Sequence, residues 1–162
     1  MTGISNSSLA LMEAASATQI ELARTLFLEY ARSLNFSLCF QSFDEELRTL
    51  PGAYAPPRGK LLLAMEQDLA AGCIALRPLD AHTCEMKRLY VRPGFRGKGA
   101  GRLLVDGVIA AARSLGYERM RLDTVADSMQ DAIALYRRRG FREIPPYCAN
   151  PVPGALYLEL LL

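Results

Sequence analysis

The chain is poor in the side chains that hold metals. Its 162 residues include one histidine, His82, and four cysteines, Cys39, Cys73, Cys84 and Cys148, with no CxxC pair. Tetrahedral zinc sites draw on several closely spaced Cys and His ligands, so no metal is expected. Scattered cysteines of this kind read as reduced thiols, which points to the cytoplasm. The sequence also lacks any apolar run approaching the ~18 residues that cross a bilayer. Its N-terminus lacks the basic-then-apolar order of a secretory signal, so no membrane partner is expected. There is little charge of either sign in excess: 19 Lys and Arg against 17 Asp and Glu give +2. That is too small to point to nucleic acid by itself. Arg137-Arg138-Arg139, with Arg113, Arg119, Arg121 and Arg142, has no interleaved aromatics and reads as solvated surface. With no repeat, no low-complexity tract and no long linker, the length fits one domain over residues 1–162.

What is there is an alternation of strand-like and helix-like segments. Residues 8–12 are expected as a first strand. From Thr18, Ile20, Ala23, Phe27, Tyr30, Ala31 and Leu34 recur at helical spacing, and Thr18 with Glu21 has capping-box spacing. A shorter helix is expected from Phe43 to Leu50, closed by Pro51-Gly52 and followed by a loop holding Pro56-Pro57. Lys60 to Glu66, Ala71 to Arg77 and Thr83 to Val91 read as strands whose short connections suit antiparallel hairpins. Strict alternation along the third puts Glu85, Lys87, Leu89 and Val91 on one face. Further on, Leu104, Val108, Ala111 and Leu115 share a helix face that Gly116 terminates, and Arg119 to Asp123 alternates as a strand. A last helix is expected from about Ser128, where Ser128 and Asp131 have capping-box-like spacing, to Gly140. Phe141 to Ile144 and Ala155 to Leu161 complete the strands, and the whole is a mixed α/β domain.

Between the third strand and the following helix lies Arg96-Gly97-Lys98-Gly99-Ala100-Gly101, with three glycines in five residues. Glycine lets backbone N–H groups turn toward a ligand, and a helix N-terminus adds unpaired N–H groups and a positive dipole end. Arg96, Lys98 and Arg102 add charge, so the segment suits a phosphate or pyrophosphate. A Walker loop would need Lys then Ser or Thr after its last glycine, but Gly97-Lys98 is followed by Gly99. A dinucleotide fingerprint would need a glycine at Arg102 or Leu104, and that fails too.

What remains, Arg-x-x-Gly-x-Gly after Leu89-Tyr90-Val91-Arg92-Pro93 and before an amphipathic helix, resembles the pyrophosphate loop of the GNAT superfamily of acetyl-CoA-dependent N-acetyltransferases. Ala132-x-x-Leu135-Tyr136 leading into Gly140-Phe141 resembles a second signature of that family. The element order also matches, well from Lys60 to Leu161 and loosely before it. One position departs: the family often has Asn three residues before that alanine, and this chain has Met129. A contact commonly made there is lost or replaced.

The resemblance implies a GNAT fold, a mixed and mainly antiparallel sheet of about six to seven strands flanked by about four helices. It implies acetyl-CoA as co-substrate, held by Arg96, Gly97, Lys98, Gly99, Ala100, Gly101 and Arg102. It also implies a splayed fourth strand whose main-chain groups at Leu89, Tyr90 and Val91 meet the thioester and pantetheine arm. Tyr136 matches the tyrosine that protonates the departing thiolate. Glu85, eleven residues before Arg96, matches the general-base glutamate of the histone-acetylating branch. For both, a bland alternative stands: core packing for Tyr136, and for Glu85 a strand carboxylate paired with Lys87. Lys87 could orient a substrate carboxylate. Tyr147 and Asn150 lie where relatives shape the acceptor pocket, although Asn150-Pro151 equally suits a turn. The expected acceptor is the primary amine of a small, amino-acid-like molecule. A protein or peptide acceptor, or a non-catalytic acyl-CoA-binding domain, are the alternatives, and a homodimer is left open.

Overall fold

The computed structural model describes residues 8–127 and 129–162. The elements in chain order are β1 (Ala10–Glu13), α1 (Ala17–Ser33), α2 (Phe43–Thr49), β2 (Lys60–Glu66), β3 (Leu69–Pro78), β4 (Thr83–Val91), α3 (Ala100–Ser114), β5 (Arg119–Val125), α4 (Gln130–Arg138), β6 (Arg142–Glu143) and β7 (Ala155–Leu161). The strands form one sheet in the order β1-β2-β3-β4-β5-β7-β6. Every neighbouring pair is antiparallel except β4 with β5. That one parallel pair needs a crossover, and the glycine segment with α3 provides it.

Each sheet face carries its own core. On one, α3 buries Leu104, Val105 and Val108 against Ile74, Leu76, Met120 and Leu122. On the other, α1 and α2 bury Leu26, Phe27 and Phe43 against Leu61, Leu63, Cys73 and Ala75. Full burial of a leucine or phenylalanine contributes ~1.5–3 kcal/mol, so these two clusters hold the helices to the sheet.

Local details depart from the sequence reading in physically simple ways. The capping box of α1 is formed by Ser16 and Gln19, two residues earlier than Thr18 and Glu21. Ser16 Oγ accepts from the Gln19 N–H at 3.2 Å, and Gln19 Oε1 accepts from the Ser16 N–H at 3.0 Å. β6 is only two residues long. Ile144 N–H still donates to Tyr157 O at 2.8 Å, but Pro145 and Pro146 have no N–H to continue the ladder. The expected cap at Ser128 lies outside the described residues.

The largest departure is in β4. Ala75 of β3 faces Lys87 and Cys73 faces Tyr90, so three steps on β4 match two on β3. Arg88 sits at this bulge with φ +63°, a left-handed conformation uncommon for a long side chain. Met86, Leu89 and Val91 all pack on the α3 side, whereas Tyr90 packs on the α1 side. Glu85 and Lys87 therefore do not share a face with Leu89 and Val91. The single inserted residue inverts the alternation between the two halves of the strand.

A buried network holds the bulge. Arg88 donates from Nε to Glu46 Oε2 at 2.8 Å, from Nη2 to Glu46 Oε1 at 3.1 Å and from Nη1 to Gln41 Oε1 at 2.8 Å. Tyr54 OH also donates to Glu46 Oε1, at 2.8 Å, and the guanidinium carbon lies 5.1 Å from the Phe43 ring centroid. The Glu46 hydrogen bonds raise the affinity of Arg88 for its proton even though burial opposes it.

Candidate active site

The parallel pairing of β4 and β5 covers only Thr83 with Arg119, Cys84 with Met120 and Glu85 with Arg121. Both strands continue, to Val91 and Val125, but they diverge. From Met86 onward β4 presents an edge with no partner strand on the β5 side. A cavity of about 910 Å³ fills the gap, within the size range of small-molecule and cofactor sites.

One end of the cavity is walled by the glycine segment. Arg96, Gly97, Gly99, Ala100 and Gly101 line it. Gly97 and Gly99 have φ of +78° and +86°, and an added Cβ would meet nothing within 4 Å at either. The constraint there is the backbone conformation, which glycine alone adopts freely. The first helical bond of α3 runs from Leu103 N–H to Gly99 O at 3.0 Å. Among the described residues, nothing accepts from the N–H groups of residues 97–102. Six bare donors at a helix N-terminus, beside open space, fit a pyrophosphate. Lys98 and Arg102 are exposed beside this end.

Along the middle run Leu89, Tyr90, Val91 and Tyr136. The Tyr136 ring packs 5.7 Å from Phe141. Its hydroxyl has no hydrogen-bond partner among the described residues, and burial raises the phenol pKa, which keeps the proton on. Met129 also lines the wall, and its Sδ accepts from Thr124 Oγ1 at 3.1 Å. That contact occupies the position where the family often carries Asn.

At the far end stand Lys87, Arg88, Gln41 and Asp123. Behind this wall lies a cluster of buried charge. Glu85 is 2% exposed and does not line the cavity. Its Oε1 accepts from Arg77 Nε and faces Arg77 Nη2, both at 2.7 Å, and its Oε2 accepts from Tyr147 OH at 2.6 Å. Lys87 Nζ is 3.8 Å from Glu85 Oε1 and 3.9 Å from Asp123 Oδ1. Burial lowers the Lys87 pKa, and Glu85 opposes the shift. Asn150 Nδ2 donates to Asp123 Oδ2 at 3.0 Å. Tyr147 stacks edge-on against Tyr157, 5.7 Å between centroids, with Arg121 5.6 Å from its ring.

Tyr147 and Asn150 thus turn their polar groups onto Glu85 and Asp123, and neither reaches the cavity wall. Glu85, Asp123 and Cys148 bring one ligand atom each within 4.8 Å of one another, a spacing a metal could use. The Lys87 ammonium already lies between the two carboxylates, where it supplies positive charge. Sequence reasoning missed Arg77, Arg121 and Asp123. Asp123 ends an alternating strand segment, and its position beside the gap was the available signal.

Fold, splayed strands and bare-donor loop define an acyl-CoA transferase architecture. The acetyltransferase (GNAT) family model matches residues 22–141, and the chain belongs to that family of acyltransferases. It is similar to an uncharacterized N-acetyltransferase of Schizosaccharomyces pombe, 42% identical over 139 residues and 85% of each chain. Its fold matches an acetyltransferase of Streptococcus agalactiae with a TM-score of 0.77 at 20% identity, over 95% of this chain and 98% of that one. A GNAT family acetyltransferase of Elizabethkingia anophelis, whose structure holds acetyl-CoA, matches with a TM-score of 0.68 at 23% identity, over 95% and 98%. Among the described residues, no helix is long and apolar enough to cross a membrane.

Proposed function

We propose that the chain transfers an acetyl group from acetyl-CoA to the primary amine of a small, amino-acid-like acceptor by direct attack in a ternary complex. One observation carries this reading: a single cavity joins the bare N–H groups of the glycine segment to Lys87 and Asp123, past the unpartnered edge of β4. When bound, acetyl-CoA supplies the thioester that the amine attacks. The N–H groups of residues 97–102, with Arg96, Lys98 and Arg102, hold its pyrophosphate. Main-chain groups of Leu89, Tyr90 and Val91 orient the acyl arm and its developing oxyanion. Tyr136 gives its hydroxyl proton to the departing thiolate. Lys87 takes the acceptor's carboxylate at the far end. Glu85, held by Arg77 and Tyr147, is the electrostatic anchor of that end, and Tyr147 and Asn150 act on the acceptor through the carboxylates they bond. Four free cysteines suit a cytoplasmic setting.

The test combines coenzyme binding with product detection across a panel of amines. Gly99→Val with Gly101→Leu forces a β-branched residue into a left-handed conformation and fills the space beside Leu135 and Val91. Acetyl-CoA affinity measured by calorimetry should fall roughly 10- to 100-fold, the scale of losing one or two backbone donors. An unchanged affinity in the folded double variant, or no acetylated product from any amine with the wild type, would overturn this reading.

A further inference from the structure

We infer that Asp123 is the residue that receives the acceptor's ammonium and takes its proton, a role that rests on the acetyl transfer proposed above. β5 pairs with β4 only as far as Arg121, and Asp123 is the next residue on that face, at the point where the strands part. Its side chain is only 6% exposed, yet it lines the cavity. Asn150 fixes one oxygen, Oδ2. Among the described residues, the other oxygen, Oδ1, has no donor within hydrogen-bond distance; the nearest cation, Lys87 Nζ, is at 3.9 Å. One oxygen is held and the other is open toward substrate space, which is the geometry of a positioned base. Glu85 differs on both counts: each of its oxygens already accepts from a described donor, and it does not reach the wall.

The surroundings leave Asp123 as the carboxylate open to the acceptor. The groups that face Asp123 are Lys87 and Glu85 from β4, Tyr147 and Cys148 from the loop after β6, Tyr157 from β7 and Tyr30 from α1. The phenols of Tyr30 and Tyr147 and the Cys148 thiol are all raised by burial first, so they stay neutral and do not compete as bases. Lys87 Nζ, 3.9 Å from Asp123 Oδ1, repels an ammonium bound there and attracts the carboxylate, so it positions the pair without deciding the direction of transfer. An aliphatic amine with a pKa of about 10 arrives protonated at neutral pH, so it needs such a group.

The step balances. The ammonium passes one proton to Asp123 Oδ1 and becomes a neutral amine. Its lone pair forms the C–N bond as the C–S bond breaks, and the thiolate takes the Tyr136 proton. The second amine proton, lost as the amide forms, restores Tyr136, and Asp123 releases the first to solvent. The acceptor class is therefore a primary amine that is cationic at neutral pH.

The experiment compares Asp123→Asn, Asp123→Glu and Glu85→Gln with the wild type from about pH 6 to about pH 10, using the best amine of the panel. Asp123→Asn should lower kcat/KM for the amine by about 100-fold at neutral pH. It should then recover roughly tenfold per pH unit as the free amine forms unaided. Acetyl-CoA affinity by calorimetry should not move, and Asp123→Glu should restore a large part of the rate. Glu85→Gln, which weakens the anchor, should lower the rate by a similar factor at every pH and keep the shape of the wild-type profile. Where Asp123→Asn does not fold, as judged by thermal melting, Asp123→Ser is read the same way. A wild-type profile in folded Asp123→Asn or Asp123→Ser, or the sloping profile in Glu85→Gln instead, overturns the inference while leaving acetyl transfer standing. A wild type that binds acetyl-CoA but acetylates no amine overturns both.

Discussion

Tyr136→Phe is expected to cut turnover by roughly 10- to 1000-fold at unchanged acetyl-CoA affinity, the scale of one positioned acid. The substitution keeps the ring that packs against Phe141 and removes only a hydroxyl with no hydrogen-bond partner among the described residues. Stability should therefore hold or rise slightly, since no partner is orphaned. That combination separates chemistry from packing, because a purely structural tyrosine would lose neither rate nor fold. Steady-state kinetics with calorimetry on the same preparation is the measurement. A rate within twofold of wild type would leave Tyr136 as a core residue and assign the thiolate's proton to water.

The second large effect concerns stability. Glu46→Ala is expected to destabilise the fold by about 3–5 kcal/mol, the cost of leaving one partner of a buried ion pair alone. Arg88 is 4% exposed overall and would lose both of its hydrogen bonds to a carboxylate. Tyr54 would lose the acceptor for its buried hydroxyl as well. Urea unfolding measures the change, and Glu45→Ala is the control. Glu45 pairs with Arg48 at the surface, side chains 59% and 72% exposed, where such pairs contribute little. Equal midpoints for the two variants would show that the Arg88 network does not hold the bulge.

The parts legible in the sequence are those written in short-range patterns. The period of Leu104, Val108 and Leu115 gives α3, and glycine spacing gives the loop before it. The hairpins follow from short polar connections between apolar runs. The acceptor end is another matter, because it is made by contacts between distant segments. Arg77 meets Glu85 across a hairpin, Tyr147 reaches Glu85 from 62 residues away and Asn150 reaches Asp123 from 27 away. No local pattern encodes such meetings. The bulge was hidden for a different reason. Arg88 is no turn residue, and what fixes its conformation is Glu46, 42 positions earlier. Strict alternation is what the local sequence supports, and only the contact with Glu46 breaks it. The α1 cap was missed because Ser16-Gln19 and Thr18-Glu21 both fit the pattern, and only the backbone decides between them.

The inserted residue in β4 also bears on how such an enzyme can change. Lys87 and residues 89–91 belong to one strand, yet in the function proposed above they answer to different molecules, Lys87 to the acceptor and residues 89–91 to the donor. The Lys87 side chain lies on the opposite sheet face from Leu89 and Val91, so it can be exchanged without altering those two. On that reading, a scaffold with this joint can acquire a new acceptor by change at Lys87 while its donor site stays constant. The constraint falls on the joint itself: Arg88, Glu46 and Gln41 must change together or not at all.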